Sequence, residues 1–329
     1  MQVLRKLVFP FSLLYALVVY LRNVCYDYGI FSSKTFKTPI ICVGNLSTGG
    51  TGKTPMIEWL LEQMSPLGKV AVLSRGYKRG STGFLRVTPE LNAEEVGDEP
   101  LQISKKFPEN FVAVDANRQR GIAKIEHQIS PRYILLDDAY QHRKVMASMY
   151  ILLTAFNDLY IDDWYLPTGN LRDHKKEARR AHVIIVTKCP LTLSKEVQAA
   201  IKKRLKPLTG QQLLFCGFEY EQKAYGLKGT INLKDLGDNI LLVTGIANPD
   251  PLLQFLSAQH ITYSHRRFPD HHFFTMKEYE ELSLFPVILT TEKDFTRMGG
   301  RLPNAYFISV KHVFLGNGKD LLNKAIKNL

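Results

Sequence analysis

Residues 43–54 read VGNLSTGGTGKT, and the class of fold expected for the chain follows from this glycine-dense stretch. An apolar run at 39–43 precedes it, and an amphipathic stretch at 53–64 follows it. A strand, a glycine-rich loop and a helix in this order are typical of a phosphate-binding loop, because glycines let backbone N–H groups turn toward phosphate oxygens and the helix N-terminus adds a positive dipole. The alternative interpretation is an ordinary glycine-rich turn, which has no need of the lysine at its end.

Each part of this loop has an expected task. In a phosphate-binding loop the lysine reaches the β- and γ-phosphates, and the hydroxyl after it holds magnesium. The general pattern asks for glycine at position 47, where this chain has Ser47, so the later glycines must supply the turn. The predicted nucleotide-binding residues are Gly49, Gly50, Thr51, Gly52, Lys53 and Thr54.

A second acidic pattern fits the same chemistry. The apolar run at 133–136 ends in Asp137 and Asp138, where an acid that binds magnesium belongs in a nucleotide-binding fold. Acids at strand ends also cap the next element, which is the alternative. Beside a phosphate loop we expect Thr54, Asp137 and Asp138 to bind Mg²⁺.

Beyond this loop, short apolar runs alternate with helical stretches along the chain. Runs at 69–73, 111–114, 150–153 and 183–186 are expected to be buried strands, and 118–127 is expected to be a helix. Such strands separated by helices predict an α/β fold with a P-loop NTPase-like, mostly parallel sheet flanked by helices.

A second, smaller α/β domain is predicted from a new pattern that begins after residue 218. Its expected strands are 240–243, 261–263 and 287–289, and its expected helices are 251–259 and 276–282. A chain of 329 residues suits two domains. We predict an N-terminal membrane-associating helix at 1–30, a P-loop domain at 31–218, a C-terminal α/β domain at 219–304 and a segment at 305–329 that can return to the first domain.

Composition limits the class of partner. Hydrophobic residues make up 45% and charged residues 22%, which is ordinary for a globular chain, and the formal net charge of +12 favours an anionic partner. The 4 cysteines form no C-x-x-C pair, which argues against a zinc site or a disulfide framework. No nucleic-acid-binding signature is present, so we expect no nucleic-acid partner.

The N-terminus carries an apolar run at 7–21 between Lys6 and Arg22. A helix of about 15 residues covers roughly 22 Å, less than the ~30 Å hydrocarbon core, so partial insertion is favoured over spanning. Nearby cations, Arg5 among them, favour an anionic leaflet. A cleaved signal peptide is not expected, because no small-residue cleavage site follows the apolar run. A buried core helix is the remaining alternative.

The chain resembles the tetraacyldisaccharide 4'-kinase family. The resemblance rests on an ordered set of motifs: GNLS at 44–47, GGTGKTP at 49–55, LSRGY at 73–77, GDEP at 97–100, Asp115 with NR at 117–118, DDAYQH at 137–142, LP at 166–167, TKC at 187–189, TGIANP at 244–249, FPDHH at 268–272 and TEKD at 291–294. It also accounts for the missing first glycine, because the family has its own variant of the loop.

The resemblance implies a kinase that uses ATP and Mg²⁺ to phosphorylate the 4'-hydroxyl of a tetraacyldisaccharide 1-phosphate, a lipid A precursor. It implies Asp98 as the base for that hydroxyl and His271 as its partner. It also implies Lys53 and Arg118 at the phosphates, with Arg118 acting from a mobile segment, and Gln141 among the residues that line the nucleotide site. Because His271 and the phosphate loop fall in different predicted domains, we hypothesise a site that forms in the cleft between them and closes on ATP.

Without the family, each of these residues has a plainer interpretation. Asp98 suits a turn or helix-cap acid, His271 a surface or packed histidine, Arg118 a helix-surface charge, and Gln141 a loop polar group. Arg172 and Asp173 match a family Arg-Glu pair, but the shorter aspartate puts a direct contact in doubt. The basic segments at 75–79 and 174–180 would face the acceptor or the bilayer, although a solvated charge run is simpler for the second.

Two rival functions remain open at this stage. A P-loop ATPase or GTPase of the metal-insertion or protein-targeting type would turn over nucleotide without an acceptor. A charge-driven surface-binding module would ignore ATP. The resemblance places the protein at the cytoplasmic face of the inner membrane, held peripherally or monotopically by its N-terminal helix, and we expect a monomer.

Overall fold

The computed structural model describes residues 8–329. Arg5, Lys6 and the start of the apolar run lie outside the described residues. The strands are β1 (Ile40–Asn45), β2 (Val70–Ser74), β3 (Leu85–Val87), β4 (Phe111–Val114), β5 (Tyr133–Asp137), β6 (Met149–Ala155), β7 (Val183–Thr187), β8 (Gln212–Gly226), β9 (Gly229–Asn232), β10 (Ile240–Thr244), β11 (Tyr263–Arg267), β12 (Val287–Thr291) and β13 (Ala305–Phe314). The α-helices are α1 (Phe9–Asp27), α2 (Lys53–Met64), α3 (Ala93–Val96), α4 (Asp98–Lys106), α5 (Arg118–Ile129), α6 (Lys195–Leu205), α7 (Asp250–Ala258), α8 (Met276–Ser283), α9 (Glu292–Met298) and α10 (Gly318–Lys327).

The chain forms two compact units. The first comprises the N-terminal residues up to Arg75, Ala113–Phe218 and His312–Leu329, and the second comprises Gly76–Val112 and Glu219–Lys311. Strands β4, β8 and β13 pass from one unit to the other along the chain. The domain limits expected from the sequence stay a prediction.

In the first unit the sheet is parallel, with the order β2-β5-β1-β6-β7-β8. Its strands are almost wholly buried, as the near-continuous apolar runs predict for a sheet covered on both faces. Val43 lies opposite Asp137 across the β1–β5 pair. The acidic end of β5 therefore lies beside the start of the phosphate loop.

Packing on this sheet positions the loops above it. One core cluster joins Leu46, at the start of the phosphate loop, to Tyr140, Leu152, Leu171 and Ile184. Gly44 allows the closest approach, since a Cβ at that position would lie 2.6 Å from Tyr140 Cβ. The turn that carries Asp138 therefore packs directly against β1.

The second unit contains a parallel arrangement in the order β11-β10-β12-β13 and an antiparallel pair of β8 with β9. Two apolar clusters pack on it, one around Val243, Leu282 and Ile288 and the other around Leu242, Leu256 and Ile308. Helix α8 begins with a capping box formed by Thr275 and Glu278, a pattern that fixes helix starts by satisfying free N–H groups.

The predicted α/β class is confirmed, and each of the apolar runs expected to be strands forms a strand or overlaps one. The difference lies in the polar region after residue 218, where β8 continues to Gly226 as a 15-residue strand. In its outer part, residues 218–226, Ala224 is buried and the other residues are exposed or half-buried, so this part lacks the continuous apolar run that marked the other strands.

By length and composition, helix α1 is long and apolar enough to cross a membrane. In the structure, 17% of its apolar 18-residue stretch is buried. Its exposed face is apolar, while its buried residues include the polar Ser12 and Asn23. Ser12 donates to Thr168 Oγ1 at 2.8 Å and Asn23 to Asp173 Oδ1 at 2.7 Å. This inverted amphipathicity does not fit the alternative of a buried core helix.

Candidate active site

The phosphate loop connects β1 to α2 and turns through glycines. Gly49 and Gly52 have φ of 117° and 84°, in the region that favours glycine. Gly52 is the residue before α2, so the free N–H groups of the helix start at Lys53 and point along the helix toward the loop. The loop thus presents the backbone donors and the dipole expected for binding phosphate.

Lys53 lies close to polar side chains from strand β1 and from the turn after β5. Its Nζ lies 3.5 Å from Asn45 Oδ1 and 3.8 Å from Asp138 Oδ1. The Asn45 Nδ2 group donates to Thr51 Oγ1 at 3.0 Å, and Gln141 Nε2 donates to the Asn45 carbonyl at 2.8 Å. Gln141 therefore supports the loop through Asn45, a residue to which no specific role is assigned from the sequence.

The two acids after β5 have different surroundings. Asp137 is fully buried, and Ser74 Oγ donates to its Oδ2 at 3.2 Å. Asp138 has a positive φ of 47° and forms a two-pronged ion pair with Arg172, whose Nη1 donates to Oδ2 at 3.0 Å. Burial raises the pKa of Asp138, but the charges of Lys53 and Arg172 outweigh it and hold this pKa well below its usual range.

Arg172 reaches the site, although the sequence put its contact in doubt. Besides Asp138, its Nη2 donates to Asn45 Oδ1 at 2.5 Å. Asp173 turns the other way: it is fully buried and accepts from Asn23 of α1. The pair therefore separates, with the arginine facing the phosphate loop and the aspartate fastening α1.

Arg118 is the first residue of α5, and it is buried, with 3% of its surface exposed. Its Nη1 donates to the Asp115 carbonyl at 2.8 Å, while Nε and Nη2 have no hydrogen-bond partner within residues 8–329. Burial lowers the pKa of Arg118 to about 10, against the opposing charges of Asp137 and Asp138, so the guanidinium stays charged at neutral pH. A helix-surface charge does not describe this residue.

His142 and the basic run at 174–180 lie on the same unit. Burial, with help from the charges of Arg118 and Arg75, lowers the pKa of His142 to about 4, which keeps this imidazole neutral. In the basic run, Arg180 donates to the Tyr140 carbonyl at 2.7 Å and pairs with the buried Glu177. At least this part of the run is built into the fold and is not a solvated charge.

Asp98 and His271 meet within the second unit. The His271 Nδ1 group lies 2.8 Å from Asp98 Oδ2, and the Glu99 N–H donates to Asp98 Oδ1 at 2.9 Å. Asp98 is the first residue of α4, after the N-cap Gly97, so it lies in the first turn, where the helix dipole favours an acid, and it also forms the pair with His271. His271 has a positive φ of 59°, an unusual conformation for a bulky residue, and its ring packs edge-on against Tyr77.

A buried arginine and a half-buried lysine lie beside this pair. Arg297 Nε lies 3.8 Å from Asp98 Oδ2, and Lys293 pairs with Glu99. Burial raises the pKa of Asp98, but the hydrogen bond from His271 and the charges of Lys293 and Arg297 outweigh it and hold this pKa well below its usual range. Asp98 is therefore ionised at neutral pH, and His271 Nδ1 donates to it.

Three supporting residues escaped the sequence interpretation: Asn45, Lys293 and Arg297. Asn45 lies within the GNLS motif at 44–47 and Lys293 within the TEKD motif at 291–294, whereas Arg297 lies three residues after the second motif. A polar residue that ends a buried strand, as Asn45 does, is a pattern that points to a site at the sheet edge. No local pattern marks Arg297, because its partner Asp98 is distant along the chain.

Comparison with known proteins agrees over the whole chain. The family model described as Tetraacyldisaccharide-1-P 4'-kinase matches residues 4–328. A tetraacyldisaccharide 4'-kinase from Flavobacterium johnsoniae is 45% identical over 327 residues, covering 97% of this chain and 96% of the relative. One from Bacteroides thetaiotaomicron is 38% identical over 351 residues, covering 98% and 92%.

A solved structure is similar along its full length. The crystal structure of LpxK from Aquifex aeolicus in complex with ATP superposes with a TM-score of 0.80 at 30% identity, covering 99% of each chain. These end-to-end matches do not favour the rival interpretation as a metal-insertion or targeting NTPase. The chain belongs to the tetraacyldisaccharide 4'-kinase family.

Proposed function

We propose that this kinase transfers the γ-phosphoryl group of ATP to the 4'-hydroxyl of a tetraacyldisaccharide 1-phosphate, at the cytoplasmic face of the inner membrane. The observation that carries the proposal is the match of residues 4–328 to the family model, which extends over both units. The residue roles below follow from the geometry of each unit and the chemistry of phosphoryl transfer, in which the protein mainly aligns the reactants and stabilises charge.

The donor is held by the first unit. Backbone N–H groups of Gly49, Gly50, Thr51, Gly52, Lys53 and Thr54 surround the phosphates of ATP, and the Lys53 ammonium binds the β- and γ-phosphate oxygens. Asn45 and Asp138 hold Lys53 near this position. Gln141 acts on the same loop through the Asn45 carbonyl.

Magnesium fits the oxygen donors at the end of β5. The Thr54 hydroxyl and the Asp137 carboxylate are buried, and Asp138 follows Asp137 in sequence, so the donors are the hard oxygen ligands that Mg²⁺ prefers. Residues 8–329 contain no group of three or more His, Cys, Asp or Glu side chains arranged for a metal, which suits an ion held largely by phosphates and water. When bound, Mg²⁺ would neutralise charge on the phosphates.

Arg118 is proposed to stabilise the charge of the transferring phosphoryl group. Its Nη1 group donates to the Asp115 and Ala116 carbonyls, and the Nε and Nη2 groups, which lack partners within the described chain, are donors that phosphate oxygens can use. The charge is retained at neutral pH despite burial. Arginines in this role contribute about 10³ to 10⁵ in rate in other phosphoryl-transfer enzymes.

Proton removal is assigned to the Asp98–His271 pair in the second unit. Asp98 accepts the proton of the 4'-hydroxyl, and His271 is the partner that shares it. Because its pKa lies below the usual range, Asp98 releases this proton again after the transfer. Lys293 and Arg297 keep the carboxylate ionised between turnovers.

The acyl chains of the acceptor call for a membrane surface, and helix α1 supplies one contact. Its outward residues Phe11, Leu14, Leu17, Val18 and Leu21 are more than half exposed, an arrangement typical of an interfacial helix. The polar residues of this helix point inward and hold it to the first unit. A monotopic attachment follows, with the apolar face in the headgroup region.

The direct test is incubation of the purified chain with γ-labelled ATP, Mg²⁺ and a tetraacyldisaccharide 1-phosphate in mixed micelles. Label is expected at the 4'-hydroxyl, and its appearance should depend on the acceptor. Phosphate release at the same rate without the acceptor would contradict the proposal and support a P-loop ATPase.

A further inference from the structure

The rear of the phosphate loop is supported by side chains from strands β7 and β13. When N–H groups of such a loop face phosphate, its carbonyls face the protein, where burial requires them to find donors. The buried Thr187 hydroxyl donates to the Thr51 carbonyl at 2.8 Å. The buried His312 imidazole contacts the next carbonyl, with Nε2 3.0 Å from Gly52 O.

The protonation of His312 follows from its partners. The Gly52 carbonyl only accepts hydrogen bonds, so Nε2 must carry a proton. The opposite nitrogen, Nδ1, lies 3.2 Å from Cys216 Sγ, and the thiol can donate to it when the ring is neutral. Burial lowers the pKa of His312 to about 4 and raises the pKa of the Cys216 thiol well above its usual value, so both groups are neutral at pH 7.

The ring is also packed tightly against the loop. A Cβ added at Gly52 would lie 3.1 Å from His312 Cε1 and Nε2 and 3.1 Å from Phe218 Cζ. The Phe218 and His312 rings lie 4.9 Å apart between centroids. Gly52 already accepts the first helical hydrogen bond, from Met56 N–H at 3.1 Å, so His312 uses the second lone pair of the same oxygen.

We propose that His312 is a positioning residue for ATP, which fixes the Gly52 peptide and thereby aims the Lys53 N–H and the start of α2 at the phosphates. The inference rests on the proposed function only for the nucleotide, because it concerns how ATP is held and not which hydroxyl is phosphorylated. Thr187 performs the same task one residue earlier, so the loop is held at two successive carbonyls.

Two histidine replacements separate the hydrogen bond from packing. His312→Gln keeps an amide N–H near the position of Nε2, whereas His312→Asn places its amide one methylene short of Gly52. Dissociation constants for ATP and Mg²⁺ are measured by calorimetry, together with KM for ATP, KM for acceptor and thermal stability. His127→Gln, at an exposed histidine of α5, is the matched control.

We expect His312→Asn to weaken ATP binding by about fivefold to tenfold, the size of one lost buried hydrogen bond, with KM for acceptor within twofold. His312→Gln should recover most of this affinity, and His127→Gln should match the parent. Equal ATP affinity in all three variants would overturn the inference. So would equal losses in the Gln and Asn variants that follow their thermal stability, because His312 would then be a packing residue only.

A chain that binds ATP but does not label the sugar would leave this test intact. In that case the proposed acceptor would be wrong while the comparison of the Gln and Asn variants still reports on His312. If His312→Asn does not fold, Cys216→Ala gives the second measurement. Loss of the thiol donor frees Nδ1 to take the proton, so ATP affinity should fall by about twofold to threefold, and an unchanged affinity would count against the inference.

Discussion

The nucleotide-side cluster of the first unit and the Asp98–His271 cluster of the second unit are built differently. The first consists of consecutive backbone N–H groups in a loop that turns at Gly49 and Gly52. The acids Asp137 and Asp138 lie at the end of the neighbouring strand β5. The second is a side-chain pair held by cations from α9. Binding of the triphosphate is therefore spread over many groups, whereas proton transfer depends on one hydrogen-bonded pair.

This difference separates two kinds of defect. Changes in the first cluster should alter nucleotide affinity together with rate, because the same groups hold the ground state and the transferring phosphoryl. Changes in the second should alter kcat with little effect on ATP binding.

The largest effect is expected for Lys53→Ala. It removes the ammonium that binds the β- and γ-phosphates, so kcat/KM should fall by about 10³ or more. Transfer of label from ATP measures the change, and circular dichroism checks the fold. Lys202→Ala, at an exposed lysine of α6, should behave as the parent. Activity within tenfold of the parent would contradict the assignment of the donor site.

Asp98→Ala should lower kcat by about 10² to 10⁴ and leave the dissociation constant of ATP within twofold, because it removes a base and no phosphate ligand. His271→Gln should fall between Asp98→Ala and the parent, since Lys293 and Arg297 still keep Asp98 ionised. Rapid-quench transfer and calorimetry measure the two quantities. A parallel loss of ATP affinity in Asp98→Ala would show that the two clusters are not separable.

Acidification should weaken the first unit through His312. In the folded chain its pKa is about 4, because burial and, to a lesser extent, the charge of Lys188 disfavour protonation. The unfolded chain takes up a proton near pH 6.5, so the stability that depends on the neutral ring is present above that pH and is lost as pH falls toward 4. Between pH 7 and pH 5 the loss amounts to about 2 kcal/mol.

Chemical unfolding at the two pH values measures this contribution. His312→Gln should lose about 2 kcal/mol less than the parent over the same interval, and His127→Gln should lose as much as the parent. An identical pH dependence in His312→Gln and the parent would mean that the neutral imidazole is not a determinant of stability.

The smallest effect is expected for Arg172→Lys. A lysine cannot reproduce the fork that binds Asp138 and Asn45 together, so kcat/KM for ATP should fall by about tenfold. Arg204→Lys is the matched control, because Arg204 forms a similar pair with Asp162 on an exposed surface. Equal effects of the two substitutions would indicate that the Arg172 pair is a surface ion pair like the other.

The same contrast explains what the sequence could predict. The phosphate loop was visible because its chemistry requires a strand, glycines, lysine and hydroxyl in one short segment. Asp98 and His271 were assigned only through the family resemblance, since nothing local couples residues that far apart. The shorter Asp173 put a contact of the Arg172–Asp173 pair in doubt, yet Arg172 binds Asn45 and Asp138, which come from distant segments that no local pattern connects.

Parts of the fold escaped prediction for physical reasons as well. The outer half of β8, which pairs with β9, is mostly exposed or half-buried, so its residues read as a polar connection. In α1 the apolar composition was evident, but the burial of Ser12 and Asn23 depends on partners at Thr168 and Asp173. Composition alone does not say which side of such a helix faces the protein.

The bonds from α1 to residues 168–173 have a practical consequence for handling the enzyme. The Tyr15 hydroxyl donates to the Arg172 carbonyl at 3.0 Å, so helix α1 holds the backbone of the residue whose side chain pairs with Asp138. Trimming the helix to gain solubility would strip the partners from a buried aspartate and loosen that segment. Purification of the chain with α1 intact, in a detergent that covers the apolar face of this helix, is the safer route to active enzyme.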